Sequence, residues 1–343
     1  SFERVCALYP GHYEAHRALG FSWLEGGDRG RSLDHFARTY ELRRGDDRLD
    51  GQAKFLTLAT RRKLAHDAEQ FRYLAARRRD RARFDALARA YEVVAQDFPE
   101  PPTALSPSQR ELLGDDYNTA IAIADAPELA DGAVAGRADA EELTRQFQAG
   151  AAGAVSFDDL LTPRALAALR RFLLESTVWH DFSHIGGFVA SYLEDGLACP
   201  LVLQIADEIR QAFPDLLAQH PLSQTWAFKG LEGSSAVDVH ADDAAISLNL
   251  WLTPTAANLT PDRGGLAVCG EPPPSDWEMK GYDADQERIV AFLEQHRANT
   301  LKVPYRENRA VLFESRLFHA SDEPIFAPSY ENHRINMTFL FGR

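Results

Sequence analysis

The sequence predicts an α+β protein in which a helical region comes first and a β-rich barrel or sandwich, buttressed by further helices, follows. Three observations support this order. Residues 1–97 repeat apolar side chains at helical spacing, as in Leu56, Ala59, Leu64, Ala68, Phe71 and Leu74, with no strand-like alternation. From about residue 150 short runs alternate with period two: ISLNLWLTP, GGLAVCG, RAVLFES and RINMTFLFG. Between the two regions, FPEPPTALSP at 98–107 cannot continue a helix, because its prolines lack the amide donor and clash with the preceding turn. The chain therefore divides into a helical region at 1–97, a linker and helical connection at 98–149, and a β-rich domain at 150–343.

Within the first region, Gly26, Gly27, Asp28 and Gly30 mark one turn, and Gly45, Asp46 and Asp47 mark another, giving paired helices with short connections. Phe2 and Phe36 lie 34 residues apart, with Leu19, Gly20 and Trp23 between them and Pro10 after Phe2. On these residues 1–45 resembles one and a half tetratricopeptide units, although Arg44 stands where a second unit would have its proline. A generic helical hairpin accounts for the same residues. If the resemblance is a true one, the chain begins inside a helix and the native protein extends N-terminal of Ser1. Further on, Thr162 sits as an N-cap before Pro163, and Leu166, Leu169, Phe172 and Leu173 form an apolar stripe. A second amphipathic helix is expected over 200–213, ended by Pro214.

Composition narrows the functional classes. The chain has 343 residues, 45% hydrophobic and 26% charged, which fits a folded protein and not a disordered one. No run approaches the ~20 apolar residues that span a bilayer, so no membrane partner is expected. Cys6, Cys199 and Cys269 are scattered without CxxC spacing, which fits a reducing cytoplasm and excludes a cysteine-built zinc site. A net charge of −14 disfavours nucleic acid as a partner. Charge is nonetheless uneven, with ten basic against four acidic residues over 60–90. That run is either a solvated helix face or a surface for an acidic partner, the acidic remainder of this chain included.

Chemistry gathers in the C-terminal half. His240-Ala241-Asp242 closes an apolar run and precedes another, which places both side chains at a strand end. A third ligand must come from His296, His319 or His333. His296 lies in a helical pattern and His333 faces away from its neighbour Arg334, whereas His319 follows the strand RAVLFES and is preferred. Two imidazoles and one carboxylate form a mixed N/O set without soft sulfur that leaves coordination positions open, which suits Fe(II). Zinc hydrolysis is the competing reading, but there is no HExxH and no placed general base. Arg334, Asn336 and Thr338 share one face of the last strand, and a guanidinium there matches the distal carboxylate of 2-oxoglutarate. Asn249 either bonds the keto acid or has a structural role.

HAD at 240–242, SRLFHAS with His319 and RINMTFLFG with Arg334 together resemble the Fe(II)/2-oxoglutarate-dependent oxygenase superfamily, in its prolyl-hydroxylase-like branch. NLWLTP, the GGL at 264–266 and NRAVLF add to the resemblance, which covers about 150–343. It implies a double-stranded β-helix (jelly roll) with iron at one end. It also implies O2-dependent decarboxylation of 2-oxoglutarate to succinate and CO2, coupled to hydroxylation of an unactivated C–H bond. Asp242, where halogenating relatives have a small residue, favours hydroxylation. The His319–Arg334 separation is somewhat longer than the family's.

The substrate stays open. A repeat groove in the helices would favour a peptide or protein side chain, and helices that only pack on the barrel would make a small metabolite equally apt. The alternative from another class is a helical-repeat interaction module with a non-catalytic barrel. Trp226 and Lys229 are candidates for the substrate mouth, and 271–303 reads as a lid or a plain excursion.

Overall fold

The computed structural model describes residues 1–49, 55–136, 139–150, 153–184, 187–231, 237–274, 277, 286–321 and 325–342. Its first part holds α1 (Phe2–Leu8), α2 (Tyr13–Glu25), α3 (Arg29–Arg44), β1 (Leu58–Ala59), α4 (Arg61–Ala75), α5 (Arg81–Ala95), β2 (Thr103–Ala104) and α6 (Pro107–Leu113). Asp28 caps α3 by accepting from the Arg31 amide at 3.0 Å, and Thr60 does the same for α4 through Lys63. Gly20 allows α2 and α3 to approach closely, since a Cβ there would lie 2.7 Å from the buried Phe36 ring. The chain over 98–107 is not a free linker, because β2 pairs antiparallel with β1.

The second part continues with α7 (Ala140–Ala149), β3 (Ala154–Phe157), α8 (Pro163–Glu175), β4 (Phe188–Tyr192), α9 (Pro200–Ala212) and α10 (Pro214–Leu217). It ends with β5 (Leu222–Gly230), β6 (Ile246–Trp251), β7 (Leu266–Cys269), α11 (Gln286–Gln295), β8 (Thr300–Val303), β9 (Ala310–Glu314), β10 (His319–Ser321) and β11 (Ile335–Phe341). The Thr162 hydroxyl caps α8 by accepting from the Ala165 amide at 3.2 Å, with Pro163 in the first turn.

Six strands form one antiparallel sheet in the order β3-β9-β6-β11-β5-β4, and three form a second in the order β10-β7-β8. The two-residue period decides what each face buries. Ile246, Leu248, Leu250, Ala310, Leu312, Ile335, Met337 and Phe339 join the large core shared with α7, α8 and α9. Their alternates Trp251, Val311 and Phe313 meet Leu266, Val268 and Val303 of the smaller sheet, filling the space between the sheets. Each fully buried Leu, Ile or Phe contributes ~1.5–3 kcal/mol of transfer free energy, so a one-residue slip would invert both cores at once. The same alternation turns Ser247, Asn249, Asn336 and Thr338 toward the inter-sheet space.

The helical region packs on the sheet-bearing part. Arg44 at the end of α3 is fully buried and forms a two-pronged pair with Asp195, at 2.9 and 2.8 Å. Gln70 of α4 donates to the Ser176 carbonyl at 2.9 Å. The basic run is largely spent within the chain: Arg72 pairs with Asp85 and Glu92, Arg83 with Asp116, and Lys63 with Asp67. Lys229, expected at the substrate mouth with Trp226, lies on the opposite face of β5. Its ammonium is buried 3.0 Å from the Tyr330 ring centroid, because neighbours on a strand point to opposite sides. Of the 271–303 segment, α11 packs on the smaller sheet through Ile289 and Phe292, against Cys269 and Phe318, while 275–276 and 278–285 lie outside the described residues. Among the described residues no helix is long and apolar enough to cross a membrane.

Candidate metal centre

His240 precedes β6 and His319 opens β10, and an isolated antiparallel bridge joins them. The strand end anticipated at His240 is thus a single bridge, made by a partner far along the chain. Asp242 is fixed two residues on, where its amide donates to the Ser315 carbonyl at 2.8 Å. These backbone bonds bring ligand atoms of His240, Asp242 and His319 within 4.8 Å of one another. Asp242 Oδ1 lies 3.8 Å from His240 Nε2, and Oδ2 lies 3.6 Å from His319 Nε2. Among the described residues this is the one such group.

Each imidazole is oriented by its other nitrogen. His240 Nδ1–H donates to the Asp238 carbonyl at 2.8 Å, and His319 Nδ1–H to the Leu317 carbonyl at 2.9 Å. Both Nε2 lone pairs are thereby left for a ligand. Burial, and next the facing His240, lower the His319 imidazole to a pKa of about 4, so it is neutral at ordinary pH. The carboxylate is held too. Ser247 Oγ donates to Asp242 Oδ2 at 2.7 Å and accepts from Ser315 Oγ at 2.8 Å, and both serines are fully buried. Sequence reasoning missed this pair as supports for the carboxylate; the signal was that Ser247 stands between Ile246 and Leu248, on the same face of the strand as Asn249.

Arg334 lines the same cavity as the three candidate ligands, together with Asn249, Asn336 and Thr338. Its Nε donates to the Gly264 carbonyl and its Nη1 to Asn336 Oδ1, both at 2.9 Å. The GGL motif explains the first contact. Gly264 has φ +78°, and a Cβ on Gly265 would sit 1.9 Å from the Val303 carbonyl oxygen. Burial lowers Arg334 to about 10, and among the described residues no carboxylate pairs with it. Asn249 Oδ1 accepts from Asn336 and Thr338 at 3.3 and 3.4 Å, so any contact to a ligand falls to its NH2 group.

The other histidines lie elsewhere. His296 follows α11 and faces Glu271 at 3.9 Å, and His333 lies 3.4 Å from Glu69 of α4. A second, open cavity of about 460 Å3 begins at His240 and Asp242 and is walled by Phe188, Tyr192, Trp226 and Phe228. Trp226, a candidate for the substrate mouth, lies in this wall. Phe188 and Tyr192 were not anticipated, because β4 is short and carries no clear polar alternation.

No family model and no curated protein matches the chain. Among solved structures it is similar to a non-heme alpha-ketoglutarate-dependent carbocyclase, SnoK, from nogalamycin biosynthesis, at 14% identity and a TM-score of 0.44 over 59% of this chain and 83% of that one. It is similar to a Pseudomonas putida prolyl-4-hydroxylase at 16% identity and a TM-score of 0.39, over 60% of this chain and 100% of that one. A third is HygX from Streptomyces hygroscopicus, with nickel and 2-oxoglutarate bound, at 12% identity and a TM-score of 0.41 over 59% and 86%.

Proposed function

We propose that the chain is an Fe(II)- and 2-oxoglutarate-dependent oxygenase, with His240, Asp242 and His319 holding the metal and Arg334 anchoring the keto acid. One observation carries the reading: a buried guanidinium without a carboxylate partner among the described residues shares a cavity with two imidazoles and a carboxylate. A buried cation left unpaired is costly, and a dicarboxylate that also reaches the metal relieves that cost. The donors fit Fe(II): both Nε2 lone pairs are free, sulfur is absent, and three ligands leave positions open.

When bound, Fe(II), 2-oxoglutarate and O2 supply the oxidation, with 2-oxoglutarate decarboxylated to succinate and CO2 and an unactivated C–H bond hydroxylated. The chain's residues prepare the place for it. The Asp238 and Leu317 carbonyls set the two imidazole tautomers. Ser315 and Ser247 hold the Asp242 carboxylate, and Gly264 and Asn336 fix the plane of Arg334. The buried NH2 of Asn249 is a donor toward the keto acid.

The two facing antiparallel sheets support a double-stranded β-helix core within 150–343, preceded by the helical region at 1–97 and the connection at 98–149. The close approach of α2 and α3 at Gly20 supports a tetratricopeptide-like pair. The docking of α3 through Arg44–Asp195 supports a scaffolding role for the helices, so the substrate is a small molecule or a peptide side chain that enters by the aromatic cavity. Calorimetry with Mn(II) as an air-stable surrogate tests the site. One ion should bind per chain, and 2-oxoglutarate should bind tightly only after the metal. Keto-acid binding that is indifferent to metal would overturn the assignment.

A further inference from the structure

The aromatic cavity beside the candidate metal centre says what kind of group it receives. Its wall is built from the last two strands of the larger sheet. Tyr192 on β4 pairs with Trp226 on β5, with ring centroids 6.4 Å apart. Phe188 and Phe228 lie at 4.8 Å, and the Trp226 and Phe228 planes are within 26° of parallel. His184 stacks on Phe188 at 4.9 Å and 19°, and its Nε2 shares a hydrogen bond with the Tyr192 hydroxyl at 2.9 Å. The result is a continuous aromatic surface that leads to His240 and Asp242.

Among the described residues that line this surface, the ionised side chains are the carboxylates Asp238 and Asp242. Among the described residues lining the cavity there is no Lys or Arg. Asp238 is exposed at the rim, and Asp181 stands behind the wall, 4.0 Å from His184 Nε2. Burial lowers the His184 pKa and so disfavours a positive charge on that ring. Arg334, the cation in the adjoining cavity, is committed to the keto acid under the function proposed above. An anionic substrate would meet negative aromatic faces and carboxylates. A cation on an apolar stem would find ring quadrupoles for its charge and a carboxylate at the rim.

Resting on that reading, we infer that the substrate carries an ammonium or guanidinium group on an apolar stem, seated against Trp226 and Phe228 with its charge toward Asp238. Such a group is found on a free amine or basic amino acid, and on a Lys or Arg side chain of a peptide.

Titrations followed by tryptophan fluorescence test this, using the full chain both metal-free and loaded with Mn(II) and 2-oxoglutarate. The ligands are the methylamides of N-acetyl-arginine, N-acetyl-lysine, the uncharged N-acetyl-citrulline and the anionic N-acetyl-glutamate. Free arginine and an arginine-containing hexapeptide separate the two sources. Trp226→Phe keeps the wall and identifies the signal. At least one cationic ligand should bind about tenfold or more tightly than citrulline, with glutamate weakest, and Asp238→Asn should close most of that gap. Equal binding of citrulline or glutamate overturns the inference, and so does the absence of saturable binding by both cationic ligands. Because the metal-free arm needs no iron chemistry, failure here and failure of the oxygenase reading are told apart.

Discussion

His240 and His319 bond to each other in both directions, each amide donating to the other's carbonyl at 3.1 and 2.9 Å, which sets their imidazole centroids 4.2 Å apart. Two residues 79 apart in sequence are thereby made into one element. His333, next to Arg334 in sequence, is directed instead at Glu69 on α4. His319→Ala should therefore weaken metal binding by more than the roughly 10–100-fold that loss of an outer-shell partner costs, while His333→Ala leaves it unchanged. Competition against a fluorescent chelator reads both.

Removing the Ser247 hydroxyl takes a 2.7 Å donor from Asp242 and leaves Ser315 without its acceptor. Ser247→Ala should lower metal affinity roughly tenfold without unfolding the chain. Ser247→Thr, which keeps the hydroxyl, should recover most of the affinity. Calorimetry with Mn(II) checks the pair.

Arg334 is the part of the proposed site that discriminates among metal chemistries. Charge-assisted hydrogen bonds are each worth ~1.5–3 kcal/mol, so Arg334→Ala should weaken 2-oxoglutarate roughly 10–100-fold. Metal binding should stay close to wild type. A collapse of metal binding in this variant would remove the role given to the arginine.

Arg44 and Asp195 join the helical region to the sheets in a fully buried pair. Burial alone would raise the Asp195 pKa, but the charge and hydrogen bonds of Arg44 outweigh it and hold Asp195 at about 2. This depressed carboxylate adds stability in full above its unfolded value of 3.8 and loses it as pH falls from there toward 2, on the order of 2 kcal/mol. Arg44→Ala leaves the buried Asp195 facing Arg43 at 3.7 Å in place of its two-pronged pair, and should cost ~3 kcal/mol in urea unfolding at pH 7, the low end for a broken buried pair. The variant should also show less acid sensitivity over that window.

Much of this was legible in the sequence wherever a pattern is local. Period-two alternation placed β6, β9 and β11 and divided the faces of β11, and Thr162 with Pro163 placed the start of α8. Gly264 and Gly265 stood out only as part of the GGL motif, and the structure gives them a backbone role behind the Arg334 contact and the β8 packing. The rest depends on contacts between distant segments. The His240 bridge needs His319, the Asp242 support needs Ser315, and the aromatic wall needs β4 beside β5. Lys229 is the instructive case, since its burial against Tyr330 and Trp179 depends on which way it points, and only the register of β5 with β11 and β4 fixes that.

The most direct test of the central claim is anaerobic addition of Fe(II) and then 2-oxoglutarate to the purified chain, followed by visible absorption. A weak metal-to-ligand band of the keto-acid chelate should appear in the wild type. It should vanish in Asp242→Ala and His319→Ala, and require more 2-oxoglutarate in Arg334→Ala. A wild-type protein that binds both components and gives no such band would contradict the account.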